Sequence, residues 1–357
     1  VTEWRWIEPF RDQLQRCELR PGETVALLSE SASRPALVAT ARLAAQSLGA
    51  QLVDVCMPTP PNDQAVAIRS TGASRALQGN RAAIAALAAA DLVIDCTVEG
   101  ILHAPELGAV LAGGARVLMI SNEDPENFER YVFDPDLARR VELGRGWMAD
   151  AQRMHVTSRA GTDLVVGLLG AFVAGSSGVT TGPGSFAHWP GGLVAAYPTA
   201  GQVNGRLVLA TGDLNLTFKR YVESPVALVI ADDHVVDVEG DGVDADLFSS
   251  YLSAFGDREA RATSHVGWGM NPHARWDYFE LYDKSQVNGT EARAYAGNFL
   301  YSTGANEHAG RFTAGHFDLP LRNCTIALDG RTVVEEGRLI AELAPAARTE
   351  TEESRVN

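Results

Sequence analysis

Cysteine is scarce, with four residues in 357 (Cys17, Cys56, Cys96 and Cys324) and no CxxC pair among them. That spacing excludes a zinc ribbon and a dithiol redox motif. Cys56 and Cys96 lie in the apolar runs "QLVDVCM" and "DLVIDCT" and are expected as buried thiols, which suits a reduced, cytoplasmic setting. Basic residues are also in deficit, 30 against 45 acidic ones, for a formal net charge of −15. So acidic a chain lacks the basic face that phosphate backbones or anionic lipids demand, and neither nucleic acid nor a membrane is expected as partner. No apolar run is long enough to span a bilayer; the longest, around "DLVVGLLGAFVAG", is short and rich in glycine. Nor does a basic-then-apolar leader precede the first domain. Missing too is any Gly-x-Gly-x-x-Gly or Walker loop after a strand-like segment, so no nucleotide site is assigned.

What is present suits a globular protein of two domains, with 46% hydrophobic and 21% charged residues. Over residues 1–153, "TVALLSE", "AQLVDVCM", "DLVIDCT" and "ARVLMIS" read as strands. They alternate with the helical segments "SRPALVATARLAAQSLGA", given a serine cap, "NRAAIAALAAA" and "EGILHAPELGAVLAGG". Continuous apolar strands with helical spacers predict a Rossmann-like α/β half with a parallel sheet covered on both faces. From 154 to 343 the pattern changes to strands joined by tight turns, "Asp-Asp-His" and "Asp-Gly" among them, which predicts an α+β half with an antiparallel sheet. Helices are expected there over "DADLFSSYLSAFG" and "GTEARAYAGNFLYSTG". The polar segment 344–357 is expected to be disordered.

Histidine numbers only eight. His316 and Asp318 stand two apart in "GHFDLPLRN", and on a strand such residues share one face and can share one ligand. A third ligand from a distant segment, His265 in "SHVGWG", would complete a two-histidine, one-carboxylate set. That set leaves open positions and suits non-haem iron(II). Taken alone the H-x-D pattern is weak, and a lone histidine beside a turn is more often structural.

The surrounding segments add to this. "SHVGWGMNPHARW", "EARAYAGNFLYSTGANE", "GHFDLPLRNCTIALDG", "HWPGG" and "ILHAPE" together resemble the 2,5-dihydroxypyridine 5,6-dioxygenase family, over most of the chain and less so in its first hundred residues. The resemblance implies one iron(II) per chain held by His265, His316 and Asp318, a hydroxypyridine and dioxygen as substrates, and a homo-oligomer. It makes His103 the candidate base for a substrate hydroxyl. His188, before the Trp-Pro pair, becomes a hydrogen-bonding or proton-transfer group. Two-metal aminopeptidases share the architecture and the H-x-D pair and are the alternative. They need further ligands, and Trp268 stands where one of their carboxylates would be.

Arg293 and Asn298 are candidates for binding a ring oxygen or orienting a ligand, with an ion pair as the plain alternative for Arg293. Trp268, Trp276, Tyr295 and Phe299 could wall a flat pocket, although aromatic residues so spaced more often form core. The remaining histidines, His155, His234, His273 and His308, are read as structural or exposed.

Overall fold

The structure is a computed structural model that describes residues 2–62, 74–284 and 287–345. The apolar segments of the first half form parallel strands in the order Gln51–Met57, Thr24–Glu30, Leu92–Asp95, Arg116–Met119. A fifth member, Phe186–His188, returns from much later in the chain to pair in parallel with Arg116–Met119. Helices cover both faces. Trp4–Arg16 and Pro35–Ser47 bury Phe10, Leu14, Leu37 and Ala41 on one side. Arg81–Ala88 and Leu107–Ala112 bury Leu87 and Val110 on the other.

Local signals account for most of these boundaries. Asn80 caps Arg81–Ala88 by accepting from the amides of Ala82 and Ala83. The serine cap expected before Pro35–Ser47 is absent, because the Ser33 hydroxyl accepts instead from the Glu30 amide at 2.8 Å. Arg34 occupies the cap position, and Pro35 supplies the preset first helical turn. Cys56 also departs from expectation. It lies on the edge strand Gln51–Met57, where only Val55 and Met57 are buried, and its thiol is exposed.

Among its described residues the second half holds two large antiparallel sheets and a two-stranded one, Leu214–Asn215 with Arg220–Tyr221. One has eight strands, from His234–Glu239 at one edge to Arg338–Leu339 at the other. The second has five, in the order Arg311–Leu321, Phe299–Asn306, Thr263–Gly269, Leu193–Tyr197, Phe172–Ser176. The Asp232-Asp233 turn takes left-handed φ values of 46° and 73°, as the two-residue hairpin requires. "DADLFSSYLSAFG" contributes the helix Val243–Ala254. "GTEARAYAGNFLYSTG" does not form one helix. Helical turns stop at Ala294, and Phe299–Asn306 is a fully buried central strand paired on both sides. Tertiary pairing and the β-prone Phe-Leu-Tyr-Ser-Thr run outweigh the helical start. The tail segment from residue 346 lies outside the described residues. No helix among the described residues is long and apolar enough to cross a membrane.

Candidate active site

A cavity of about 820 Å³ lies between the carboxyl-terminal ends of the parallel strands and one face of the five-stranded antiparallel sheet. The parallel sheet contributes residues at its strand ends or just beyond them: Leu102 and His103, Met119 and Ser121, and His188. Open α/β sheets build sites at this edge, where loops converge. The antiparallel sheet contributes alternate residues, Phe172, Ala174 and Ser176 from one strand and Leu193, Ala195 and Tyr197 from the next. His316 and Asp318 keep the same period of two on Arg311–Leu321.

His265 arrives by a different route. Thr263 lies opposite Thr303 and Val266 opposite Tyr301, so Ser264 and His265 together face the single residue Ser302. Such a bulge re-aims a side chain that regular pairing would direct elsewhere. Gly304, the partner of His316, sits at φ +110°, and a Cβ there would fall 2.0 Å from the Gly315 carbonyl oxygen. Only glycine lets the two strands approach so closely beside the site.

The three residues converge. Asp318 Oδ1 lies 3.2 Å from His316 Nε2 and 3.7 Å from His265 Nε2. Arg293 Nε donates to Asp318 Oδ2 at 2.6 Å, and the Ser302 hydroxyl donates to Oδ1. All three are buried. Burial pushes His265 and His316 below the ordinary imidazole range, so both are neutral. Burial, the largest single influence, would raise Asp318, but the Arg293 guanidinium and the contacts with His316 and His265 together outweigh it and hold the carboxyl well below its usual range.

Counting protons tests whether a cation belongs here. Ser264 gives its one proton to the Ala305 carbonyl, so the 3.1 Å contact to His265 requires Nδ1–H to donate to Ser264 Oγ. The Nε2 lone pair of His265 then faces Ser302 Oγ at 3.0 Å, although the Ser302 proton is directed to Asp318. The His265 lone pair and the ionised Asp318 carboxylate thus converge on Ser302, whose one proton cannot serve both. A metal ion satisfies that arrangement, and these residues fit one.

A third imidazole is close by. The His103 ring centroid lies 4.7 Å from that of His316 and 5.8 Å from that of His265, within one chain. One nitrogen from each of the three rings lies within 4.8 Å of the others, so this buried cluster could hold a metal ion. His103 Nε2 is buried and has no hydrogen-bond partner. His188 repeats the pattern. A carbonyl only accepts, so His188 Nδ1–H donates to Pro190 at 2.7 Å, and the buried Nε2 is left without a partner. Burial pulls His188 down to about 4, which keeps it neutral and Nε2 an acceptor.

Arg293 lines the cavity and pairs with Asp318. Asn298 is placed elsewhere. Its amide accepts from Gly269 N and donates to the carbonyls of Ala292 and Arg293, which ties the short Arg293 helix to the His265 strand. Trp268 and Phe299 are buried in the main core, while Trp276 packs against Tyr295 in a smaller cluster. The aromatic wall of the cavity comes instead from Tyr197, Phe172, Phe186 and Phe312. His308 also lines it, stacked on Phe172 with centroids 3.8 Å apart. Sequence reasoning missed Tyr197, Ser302, Glu307 and His308. The alternation of "LVAAYP" was the one signal that could have placed Tyr197 on the face shared by Leu193 and Ala195.

Fold and site define an α/β protein with a buried, metal-ready group of histidines and a carboxylate at the end of a parallel sheet. A family model described as NicX, 2,5-dihydroxypyridine 5,6-dioxygenase, matches residues 5–341, and the chain belongs to that family. A relative from Pseudomonas putida KT2440, named 2,5-dihydroxypyridine 5,6-dioxygenase, is 36% identical over 353 residues, covering 98% of this chain and 99% of its own. The solved structure of 2,5-dihydroxypyridine dioxygenase from the same organism superposes with a TM-score of 0.89 at 35% identity, over 96% of this chain and 98% of that one. Wild-type AmpT from Thermus thermophilus shares the fold, with a TM-score of 0.63 at 12% identity over 94% and 99% of the two chains.

Proposed function

We propose that this protein is a ring-cleaving dioxygenase that opens 2,5-dihydroxypyridine between C5 and C6 to give N-formylmaleamate, using one iron(II) per chain. Atoms balance when both oxygen atoms of dioxygen enter the product. The observation that carries the reading is the convergence of the buried His265, His316 and Asp318 on one point of the cavity. Those three residues would hold the metal. Bound there, iron(II) would supply vacant positions for substrate and dioxygen and a path for electrons between them.

The chain's own residues account for the rest. Arg293 and Ser302 fix the Asp318 carboxylate by one hydrogen bond to each oxygen. His103 Nε2, buried and without a partner, accepts the proton of a ring hydroxyl, which leaves the ring richer in electrons. His188 Nε2 accepts a second hydrogen bond and sets the orientation of the ring. Tyr197 and Phe172 give the flat substrate an apolar wall. A two-metal hydrolase would need a ligand where Trp268 stands, and that indole is buried in the core.

The test supplies 2,5-dihydroxypyridine under isotopically labelled dioxygen, follows the loss of its ultraviolet band and weighs the product. At least one labelled atom is expected, since the second can exchange with water before hydrolysis completes ring opening. Ring opening without air, or product free of label, overturns the reading.

A further inference from the structure

We infer that Glu307 is a positioning residue that fixes the tautomer of His103, so that the acceptor nitrogen Nε2 faces the substrate hydroxyl. The inference rests on the reading of His103 as the base. Glu307 comes directly after the strand Phe299–Asn306, more than two hundred residues beyond His103 in the chain, and the fold brings its carboxylate against the far side of the imidazole. Oε1 lies 3.4 Å and Oε2 3.5 Å from His103 Nδ1. Both distances are long for an N–H···O bond, and such bonds commonly tighten once substrate is bound. The imidazole is 1% exposed and the carboxylate 30%, so the pair is screened from water mainly on the histidine side.

Each partner is anchored independently. Asn306 caps the turn that carries Glu307, accepting from Ala309 N at 3.1 Å, while its Nδ2 donates to the Pro198 carbonyl at 2.9 Å. On the other sheet, Asp95 accepts from Thr97 N at 2.9 Å and from Ile101 N at 2.8 Å, which shapes the loop leading to His103. Two fixed ends hold the contact without help from substrate or metal.

Imidazole chemistry supplies the consequence. A neutral ring carries one proton, and the hydrogen bond at one nitrogen decides which atom has it. An ionised carboxylate accepts only, so it keeps the proton on Nδ1 and the lone pair on Nε2. The opposite tautomer would aim an N–H at the hydroxyl that has to be deprotonated, and no base would remain. The carboxylate also stabilises the imidazolium formed once the proton has moved. The same division of labour holds the imidazole in serine-protease triads.

The experiment compares Glu307→Ala, Glu307→Gln and His103→Phe. Ring nitrogen-15 spectra of the metal-free protein report each histidine's tautomer, and among eight histidines His103 is assigned by its loss in His103→Phe. The native protein should show Nδ1–H at His103. Glu307→Ala should show Nε2–H and lose about 10–100-fold in kcat with KM little changed. Glu307→Gln keeps an acceptor and should restore the Nδ1–H signal and part of the rate. The double variant of Glu307→Ala and His103→Phe should be no slower than His103→Phe alone, because Glu307 acts through His103. An Nδ1–H signal that survives in Glu307→Ala overturns the inference, as does an unchanged kcat in Glu307→Ala beside an inactive His103→Phe. Full turnover in His103→Phe instead removes the base reading itself, and the spectra still decide the tautomer.

Discussion

Arg293 Nε donates to Asp318 Oδ2 at 2.6 Å, so an arginine from a five-residue helix fixes the one carboxylate among the converging ligands. Both side chains are largely removed from water, at 13% and 3% exposure. Removing one member of such a pair leaves an uncompensated buried charge, which costs about 3–5 kcal/mol. Arg293→Met should therefore lower the stability of the metal-free protein by that order. It should also weaken metal affinity about 10–100-fold, because a carboxylate held by Ser302 alone can turn away from the histidines. Denaturant unfolding and metal titration check the two effects separately. An unchanged metal dissociation constant would show that the guanidinium does not orient the ligand.

Two ligand sets compete on geometry, since His103 lies as close to His265 and His316 as a shared ion requires. Charge and geometry favour Asp318 as the third ligand, because its ionised oxygen already faces both histidine nitrogens. Alanine at His265, His316 or Asp318 should abolish binding of one iron per chain under anaerobic reconstitution. Alanine at His103 or His188 should spare the metal and lower turnover. Iron lost from the His103 variant but kept by the Asp318 variant would reverse the assignment.

The pattern of strands and helices was legible in the first half because the central parallel strands are buried on both faces and read as continuous apolar runs. The period-two placement of His316 and Asp318 was legible for the same local reason. The convergence of His265 on them was not, since it depends on a bulge at Ser264 that no periodicity encodes. The return of Phe186–His188 to the first sheet is equally non-local, and it is what brings His188 to the cavity. Cys56 misled because an edge strand and a central strand carry similar residues, and only their neighbours differ. Glu307 carries no sequence signal, because its partner stands more than two hundred residues away.

Gly267 tests how closely the His265 strand packs. A Cβ at this position would fall 1.9 Å from the Val194 carbonyl oxygen, a backbone atom that cannot rotate away. Val194 and Ala195 belong to the strand paired with Trp268 and Gly267, so Gly267→Ala must part the two strands two residues from His265. Overpacking of this kind costs about 1–3 kcal/mol. Chemical denaturation should show that loss, and metal affinity should fall with it as His265 shifts. Native stability in this variant would mean that the two strands can part at no cost.

Asp95 gives a prediction about pH with a definite sign. Its carboxyl is fully buried at the end of the strand Leu92–Asp95, and burial raises it from 3.8 to about 6 despite hydrogen bonds from Thr97 and Ile101. A raised folded-state pKa means the native protein holds this proton more tightly than the unfolded chain. The associated stability is present below pH 3.8 and is lost as pH climbs through about 6. The full difference corresponds to about 3 kcal/mol. His188, His265 and His316 act in the opposite direction. Their folded-state values are lowered, so their stability is present above pH 6.5 and is lost on acidification, for His188 as pH falls through about 4. The total profile therefore hides the Asp95 contribution, and only a difference reveals it. Between pH 4 and 7 the stability advantage of the native protein over Asp95→Asn should shrink by up to about 3 kcal/mol, measured by denaturant unfolding of the metal-free proteins. A gap that stays constant or widens with rising pH would mean that Asp95 ionises at an ordinary carboxyl value, and that its hydrogen bonds to the loop before His103 fully compensate its burial.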